Sequence, residues 1–236
     1  MKFAFTSDLH GYLPDIEPCE VLCICGDVSP LDIQYDYYRM ENWTRSTFAQ
    51  WINNLPCKQV IMTPGNHDPF FEQIMGIDPK IYENITRPTK GKLEVLYNNE
   101  CNVVGSNGEN IKIWGSPYCK TFGRWAFMPG DKELLNFYSS MPKGCDIVIT
   151  HDAPKVGNYG KIQQGRQKGV DAGNKDLAKV IKEKCPRYVI SGHIHSAEHK
   201  LGTYKGYGIT QFANVSYVDE YYQPTNDILY IDVNDI

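Results

Sequence analysis

The stretch "PRYVISGHIHSAE", Pro186–Glu198, joins a short apolar run to a turn that carries two histidines. Its apolar part is rich in β-branched residues, which predicts a buried strand. Gly192 follows the run, and His193 and His195 come next. Because imidazole is uncommon in strand cores and frequent among metal ligands, the two histidines predict a metal site at the end of this strand.

Four other apolar runs, "KFAFTS", "VLCIC", "QVIMTP" and "DIVIT", are also followed closely by side chains of metal-ligand type. In the order of the runs, these are Asp8 and His10, then Asp27, then Asn66 and His67, then His151. In open α/β sheets, ligands bind beyond the carboxyl ends of the strands, so residues distant in sequence are expected to converge at one edge. Together with Pro186–Glu198, these stretches contain five of the six histidines, which favours one common site.

Helical patterns alternate with the predicted strands. Apolar residues repeat at helical spacing over Phe48–Leu55, and a second such pattern follows Asn174, a suitable N-cap. A shorter helix is predicted over 131–138, and a strand pair with a turn at "SNGEN" over 105–117. The alternation predicts an α/β protein, and no linker or repeat interrupts it, so residues 1–236 are predicted to form a single domain.

The donor atoms of the candidate ligands indicate which metals the site could bind. The candidate ligands are Asp8, His10, Asp27, Asn66, His151, His193 and His195. Carboxylate, amide and imidazole donors suit divalent Mn, Fe or Zn. Seven ligands are too many for one tetrahedral ion and predict two ions roughly 3.5–4 Å apart. A thiolate site of Cys19, Cys23 and Cys25 is the alternative, but buried, reduced cysteines explain the run "VLCIC" better.

The motifs "DLH", "GD", "GNHD", "TH" and "GHIH" follow one another between Asp8 and His195. The series resembles the calcineurin-like metallophosphoesterase superfamily, and the tail "FANVSYVDEYYQPTND" is similar to its small phosphodiesterase-type branch, the metallophosphoesterase-domain proteins. This resemblance implies a four-layer α/β/β/α sandwich with the active site at the C-terminal ends of the strands. The chain departs from the phosphoprotein phosphatase branch, which has GDxxDRG where this sequence reads "GDVSPLD".

The resemblance also implies a role for each candidate ligand. A first metal would be held by Asp8, His10, Asp27 and His195, and a second by Asp27 as the bridge with Asn66, His151 and His193. Manganese is favoured over iron or zinc. A metal-bridging hydroxide would attack a phosphodiester or phosphomonoester in line, with His67 as the catalytic acid beside the phosphate. The expected protein is a metallophosphoesterase that hydrolyses a small nucleotide-like substrate, and no motif assigns the partner of His67.

Substrate contacts are expected from Asn66, His67 and Arg166. Arg166 lies in the glycine-rich loop 157–173, for which a purely solvated role is an equal alternative. The aromatic residues between positions 35 and 51 are expected to pack in the core rather than to wall a substrate cleft.

Two other functions stay open. A nuclease is disfavoured because the net charge is −4, the pI is about 5.9 and no basic stripe is present, although nucleic acid remains a possible partner. A non-catalytic scaffold is disfavoured because all seven ligand positions carry competent donors. No apolar stretch approaches the ~20 residues that span a bilayer, and no export signal is recognised, so a cytoplasmic protein without a membrane partner is predicted. The sequence defines neither the oligomeric state nor the phosphoester.

Overall fold

The computed structural model describes residues 1–75, 83, 86–105 and 108–233. Its strands are β1 Lys2–Thr6, β2 Val21–Cys25, β3 Gln59–Thr63, β4 Leu93–Val95, β5 Asn99–Val104, β6 Asn110–Ser116, β7 Ile147–Thr150, β8 Tyr188–Ser191, β9 Gly202–Thr203, β10 Gln211–Asn214 and β11 Leu229–Asp232. Its α-helices are α1 Tyr37–Trp43, α2 Ala49–Asn54, α3 Pro69–Met75, α4 Asp131–Ser139 and α5 Lys175–Lys184. A π-helix, Thr44–Phe48, joins α1 to α2, and 3₁₀ turns span Arg87–Thr89 and Gly157–Gly160.

The strands form two sheets. One has the order β11-β1-β2-β3-β4, in which β1 to β4 are parallel and β11 is antiparallel to β1. The other has the order β5-β6-β7-β8-β10-β9, with a parallel centre and antiparallel edge strands β5 and β9. The parallel strands of each sheet therefore end at one edge, where βα loops collect.

Most of the buried apolar residues in the described ranges belong to three clusters. Alternate residues of β2 point to opposite faces, so Cys23 packs between the sheets while Leu22 and Ile24 face the helices. Helices α1 to α3 cover the outer face of the first sheet, and α4 and α5 cover the outer face of the second. The result is the four-layer α/β/β/α sandwich predicted above, with the two sheets in the middle.

The helix predicted after Asn174 and the predicted strand pair are both present, and the strand pair is shifted along the chain. Asn174 caps α5, since its side chain accepts from the backbone N–H groups of Asp176 and Leu177. The predicted strand pair is β5–β6, but its first strand lies earlier than predicted, because the register pairs Asn99 with Gly115. Residues 106 and 107 of the predicted turn lie outside the described residues. Within the described ranges, no helix is both long enough and apolar enough to span a membrane.

The cysteines of β2 do not form a metal site in the described structure. Burial raises the pKa of the Cys23 and Cys25 thiols well above the ordinary value, so both are neutral core side chains. Cys19 is partly exposed and hydrogen-bonds Cys57 instead. Among the described residues, neither group that can hold a metal contains a cysteine.

The aromatic segment packs mostly as predicted. Phe48 is buried and stacks on Trp43 and Trp51, with ring centroids 5.2 and 5.7 Å apart. Tyr35 and Tyr38 are exceptions and lie at the surface, 68% and 81% exposed. The residues at helical spacing therefore pack in the core. Tyr35, which precedes α1, and Tyr38, in its first turn, face solvent.

Candidate metal centre

The candidate ligands lie where the parallel strands of both sheets end. Along the chain, β1 leads to Asp8, β2 to Asp27, β3 to Asn66, β7 to His151 and β8 to His193. Backbone hydrogen bonds extend the β1–β2 ladder into the loops, including one of 2.9 Å from the N–H of His10 to the carbonyl of Asp27. The convergence predicted from the sequence is therefore present, and all seven side chains lie in one connected cluster.

Four of these residues adopt a backbone conformation that side chains other than glycine rarely take. The φ angles are 52° at Asp8, 44° at His10, 54° at Asp27 and 69° at His193. Such conformations cost of order 1–3 kcal/mol each and persist where the surrounding structure enforces them, most often at functional sites. The strained positions therefore coincide with four of the seven candidate ligands.

Two glycines leave room for the cluster. A Cβ atom on Gly26 would come within 2.5 Å of Nδ1 of His151, and Gly26 also has a φ of 98°. A Cβ atom on Gly192 would collide with the hydroxyl of Ser7 and the carboxylate of Asp8. A side chain at either position would collide with a residue from the other sheet, so both glycines permit the close approach of the strand ends.

Asp8, His10 and His195 form the first group whose ligand atoms lie close enough to hold one ion. Nε2 of His195 is 3.3 Å from Asp8 Oδ1, while its Nδ1 donates to the carbonyl of Asp219 at 2.8 Å. Both ring nitrogens of His10 are buried without a hydrogen-bond partner, and burial lowers its pKa to about 4. A neutral, buried and unpartnered imidazole is costly unless a cation accepts its lone pair, so this group fits a metal.

Asp8, Asp27 and His151 form the second group. Nδ1 of His151 donates to the carbonyl of Cys25 at 2.9 Å, which leaves Nε2 directed at Asp27, 3.3 Å away. Nε2 also lies 2.9 Å from the amide oxygen of Asn66. The His193 ring is 5.0 Å from that of His151, and burial lowers the pKa of His193 to about 3, so its imidazole is neutral.

The charges of the cluster favour cations. Asp8 and Asp27 are fully buried, and among the described residues only imidazoles lie within ion-pair distance of them. Burial alone would lower the pKa of His151, but the charge of Asp27 raises it to about 10. The two buried carboxylates thus favour protonation of neighbouring histidines. A divalent ion that displaces those protons neutralises the same negative charge.

His67 has a partner that no motif indicated. Its Nδ1 lies 2.9 Å from the side-chain oxygen of Gln34, whose amide nitrogen donates to the carbonyl of Leu31. An amide oxygen only accepts, so Nδ1 carries the proton and Nε2 remains for the substrate. Asp68, the neighbour in sequence, instead accepts from the backbone N–H groups of Ser29 and Gly65 and ties the two loops together.

The segment after β10 adds residues that the sequence reasoning did not assign. Tyr222 has a φ of 60°, and its ring lies 4.9 Å from His10 and 5.2 Å from His195, centroid to centroid. Its N–H shares the Asp219 carbonyl with His195. His199, which belongs to no motif and precedes β10, is partly buried, and its Nε2 lies 3.1 Å from the His195 carbonyl oxygen. Only the resemblance of the tail pointed to this segment.

A cleft of about 530 Å³ opens over the cluster. The predicted residues Asp27, Asn66, His67, His193 and His195 line it. It is also lined by residues to which the sequence assigned no role, namely Lys120, Phe122, Trp125, Asp152, Ile162, Gln167, Val170, Ala172, Ile194, Glu220 and Tyr222. Arg166 is exposed and is not among the described residues that line the cleft, where Gln167 of the same loop lies instead.

Comparisons with known proteins agree with this geometry. A family model for the calcineurin-like phosphoesterase domain matches residues 1–197. Metallophosphoesterase domain-containing protein 1 of Homo sapiens is 26% identical over a region that covers 98% of this chain and 71% of that protein. The Mus musculus protein of the same name matches equally well.

Solved structures are similar in fold. One crystal structure superposes with a TM-score of 0.59 at 16% identity and covers 99% of this chain and 95% of its own. Phosphopantetheinyl hydrolase from Mycobacterium tuberculosis superposes with a TM-score of 0.56 at 14% identity, over 91% of this chain and 88% of that one. At these identities the likeness concerns the fold alone.

Proposed function

This chain belongs to the calcineurin-like phosphoesterase family, and from that premise we propose that it hydrolyses phosphoesters with two divalent cations held at the strand-end cluster. One observation carries the proposal. His10 is buried between Asp8 and Asp27 with both ring nitrogens unpartnered, an arrangement that a bound cation satisfies and that packing alone does not.

The proposed ligand sets are those that the family resemblance implies, and they extend the two groups described above, in which Asp8 rather than Asp27 is the shared residue. Asp8, His10, Asp27 and His195 would hold one cation, and Asp27, Asn66, His151 and His193 the other. Asp27 suits the bridging position because its Oδ2 lies between the groups, 3.3 Å from Nε2 of His151 and 3.9 Å from Nε2 of His10. When bound, such ions neutralise phosphoryl oxygens and lower the pKa of a water molecule toward 7.

The protein's own residues would position the phosphoester and handle the leaving group. The backbone N–H of His67 donates to Asp27 Oδ1 at 2.7 Å, which places the His67 ring beside the carboxylate. Gln34 holds Nδ1, so Nε2 is the atom that faces the leaving oxygen and can deliver a proton to it when the ring is doubly protonated. The carboxylate of Asp8 is oriented by the N–H of His193 and the hydroxyl of Ser216.

The proposal is tested by metal content and turnover of the same samples. Asp27→Asn should lose both metal and activity, while His67→Ala should keep two metal equivalents and lose roughly 10²- to 10⁴-fold in turnover. Asp15→Asn, at an exposed carboxylate away from the cluster, is the matched control. Binding of fewer than two equivalents by the wild type, or full activity of Asp27→Asn, would contradict the dinuclear site.

A substrate panel addresses the finer proposals. It should include a phosphomonoester, an aryl phosphodiester, cyclic nucleotides and an oligonucleotide, each with manganese, iron and zinc. We expect turnover of a small nucleotide-like ester with manganese. Cleavage of the oligonucleotide alone would favour the nuclease alternative, and metal binding without any turnover would favour a scaffold. A single domain over residues 1–236, a cytoplasmic location and a substrate contact by Arg166 stay predictions.

A further inference from the structure

The loop 117–130, here called the aromatic loop, connects β6 to α4 and carries two aromatic side chains into the cleft. Phe122 is 57% exposed although it is a large apolar residue, and its ring lies 5.3 Å from that of His193. Trp125 is partly exposed, and its ring lies 4.4 Å from that of His67. The two rings therefore stand beside two imidazoles of the proposed reaction centre.

The aromatic loop is held firmly in place. The N–H of Ala126 donates to the backbone carbonyl of Asn66 at 3.2 Å, and that of Phe127 donates to the Glu72 carboxylate at 2.6 Å. The N–H of Lys120 donates to buried Asp152 at 3.0 Å. These bonds connect the loop to residues on both sides of the cleft, so the exposed position of the rings is built into the fold.

The indole of Trp125 also packs against Tyr35 and against the backbone at Gly123. Tyr35 stacks on it at a centroid distance of 6.5 Å and an interplanar angle of 28°. A Cβ atom on Gly123 would lie only 2.8 Å from the indole nitrogen, so the indole packs directly against the loop backbone at this glycine. An indole supported in this way presents a fixed surface to the cleft.

We propose that Phe122 and Trp125 form a stacking subsite for a planar ring attached to the phosphoryl group of the substrate. The inference rests on the proposed function and adds the class of organic group that the site selects. A planar ring gains from aromatic faces through stacking in addition to apolar burial, whereas a saturated ring gains only from burial. Stacking of a base-like ring on one aromatic side chain corresponds to roughly 5- to 150-fold in affinity.

Phenylphosphonate, cyclohexylphosphonate and methylphosphonate separate stacking from apolar burial, because they differ only in the organic group. Their carbon–phosphorus bond is not hydrolysed, so binding can be measured without turnover. Calorimetry on the metal-loaded protein should show that phenylphosphonate binds about 10-fold more tightly than cyclohexylphosphonate. The Phe122→Leu and Trp125→Leu double variant should bring this ratio close to one and leave the affinity for methylphosphonate unchanged. Tyr38→Leu, at an exposed tyrosine that does not line the cleft, should retain the wild-type ratio.

The outcomes distinguish the two proposals. If none of the three phosphonates binds the metal-loaded wild type, the proposed function fails. If all three bind and the phenyl-to-cyclohexyl ratio is the same in the wild type and the double variant, the stacking subsite is wrong while the proposed function stands.

Discussion

The side-chain oxygen of Gln34 lies 2.9 Å from Nδ1 of His67, although the two residues are 33 positions apart. Gln34 is buried in the loop after β2, and His67 lies in the loop after β3. The contact selects which nitrogen of His67 carries the proton and turns the other toward the cleft. A neutral amide thus orients the proposed catalytic imidazole, and Asp68 beside it takes no part.

Replacing Gln34 should impair turnover without removing metal. Gln34→Ala frees the His67 ring to rotate, so we expect kcat to fall by about 10- to 100-fold, while Gln34→Glu keeps an acceptor and should retain most of the activity. Steady-state kinetics with metal analysis measures both. In the His67→Ala background, Gln34→Ala should have no further effect, and an additive loss would refute a role through His67.

Two substitutions of Tyr222 test whether its ring supports the first metal group and whether its backbone is strained. Tyr222→Ala and Tyr222→Gly both remove the ring that contacts His10 and His195, so each should weaken metal binding by about 10-fold. The glycine variant should be more stable than the alanine variant by about 1 kcal/mol, because glycine adopts a φ of 60° without strain. Denaturant unfolding and metal titration provide the measurements. Equal stability of the two variants would argue against backbone strain at this position.

Gly192→Ala should disrupt the cluster through contact alone. The added methyl group would collide with Ser7 and Asp8, so the strand ends must separate and both metal occupancy and stability should fall. Gly130→Ala is the matched control, because a Cβ atom there meets nothing within 4 Å. Neither glycine has a positive φ, so a difference in metal occupancy between the two variants reports the steric effect at Gly192. Normal metal binding by Gly192→Ala would show that the loops can move apart at little cost.

Cys57 should be unusually reactive for a thiol remote from the cluster. A hydrogen bond from Cys19 lowers the pKa of Cys57 to about 7, so its alkylation rate should rise with pH and reach half its plateau near pH 7. In Cys19→Ala the stabilising donor is lost, and the midpoint should move upward toward the usual thiol value of about 8.5. Mass spectrometry of iodoacetamide-treated protein follows the rate at each pH. An unchanged midpoint in Cys19→Ala would exclude the hydrogen bond as the cause.

The sequence by itself determined the strands, the order of the ligand-type residues and the edge of the sheets at which they meet. Each of these depends on short-range information, since an apolar run predicts a buried strand and the residue after it lies at that strand's end. This is why the positions of Asp8, Asp27, Asn66, His151 and His193 after the strands could be predicted without coordinates.

Only the tertiary structure decided what surrounds those residues. The sequence assigned no role to Gln34, Tyr222, Phe122 or Trp125, which reach the site because loops from different strands pack against one another. Arg166 is the opposite case. Its loop and its charge suggested a substrate contact, but it lies outside the cleft, and Gln167 of the same loop lines it. The path of a loop depends on contacts with distant segments, and the spacing of residues along the chain carries no record of those contacts.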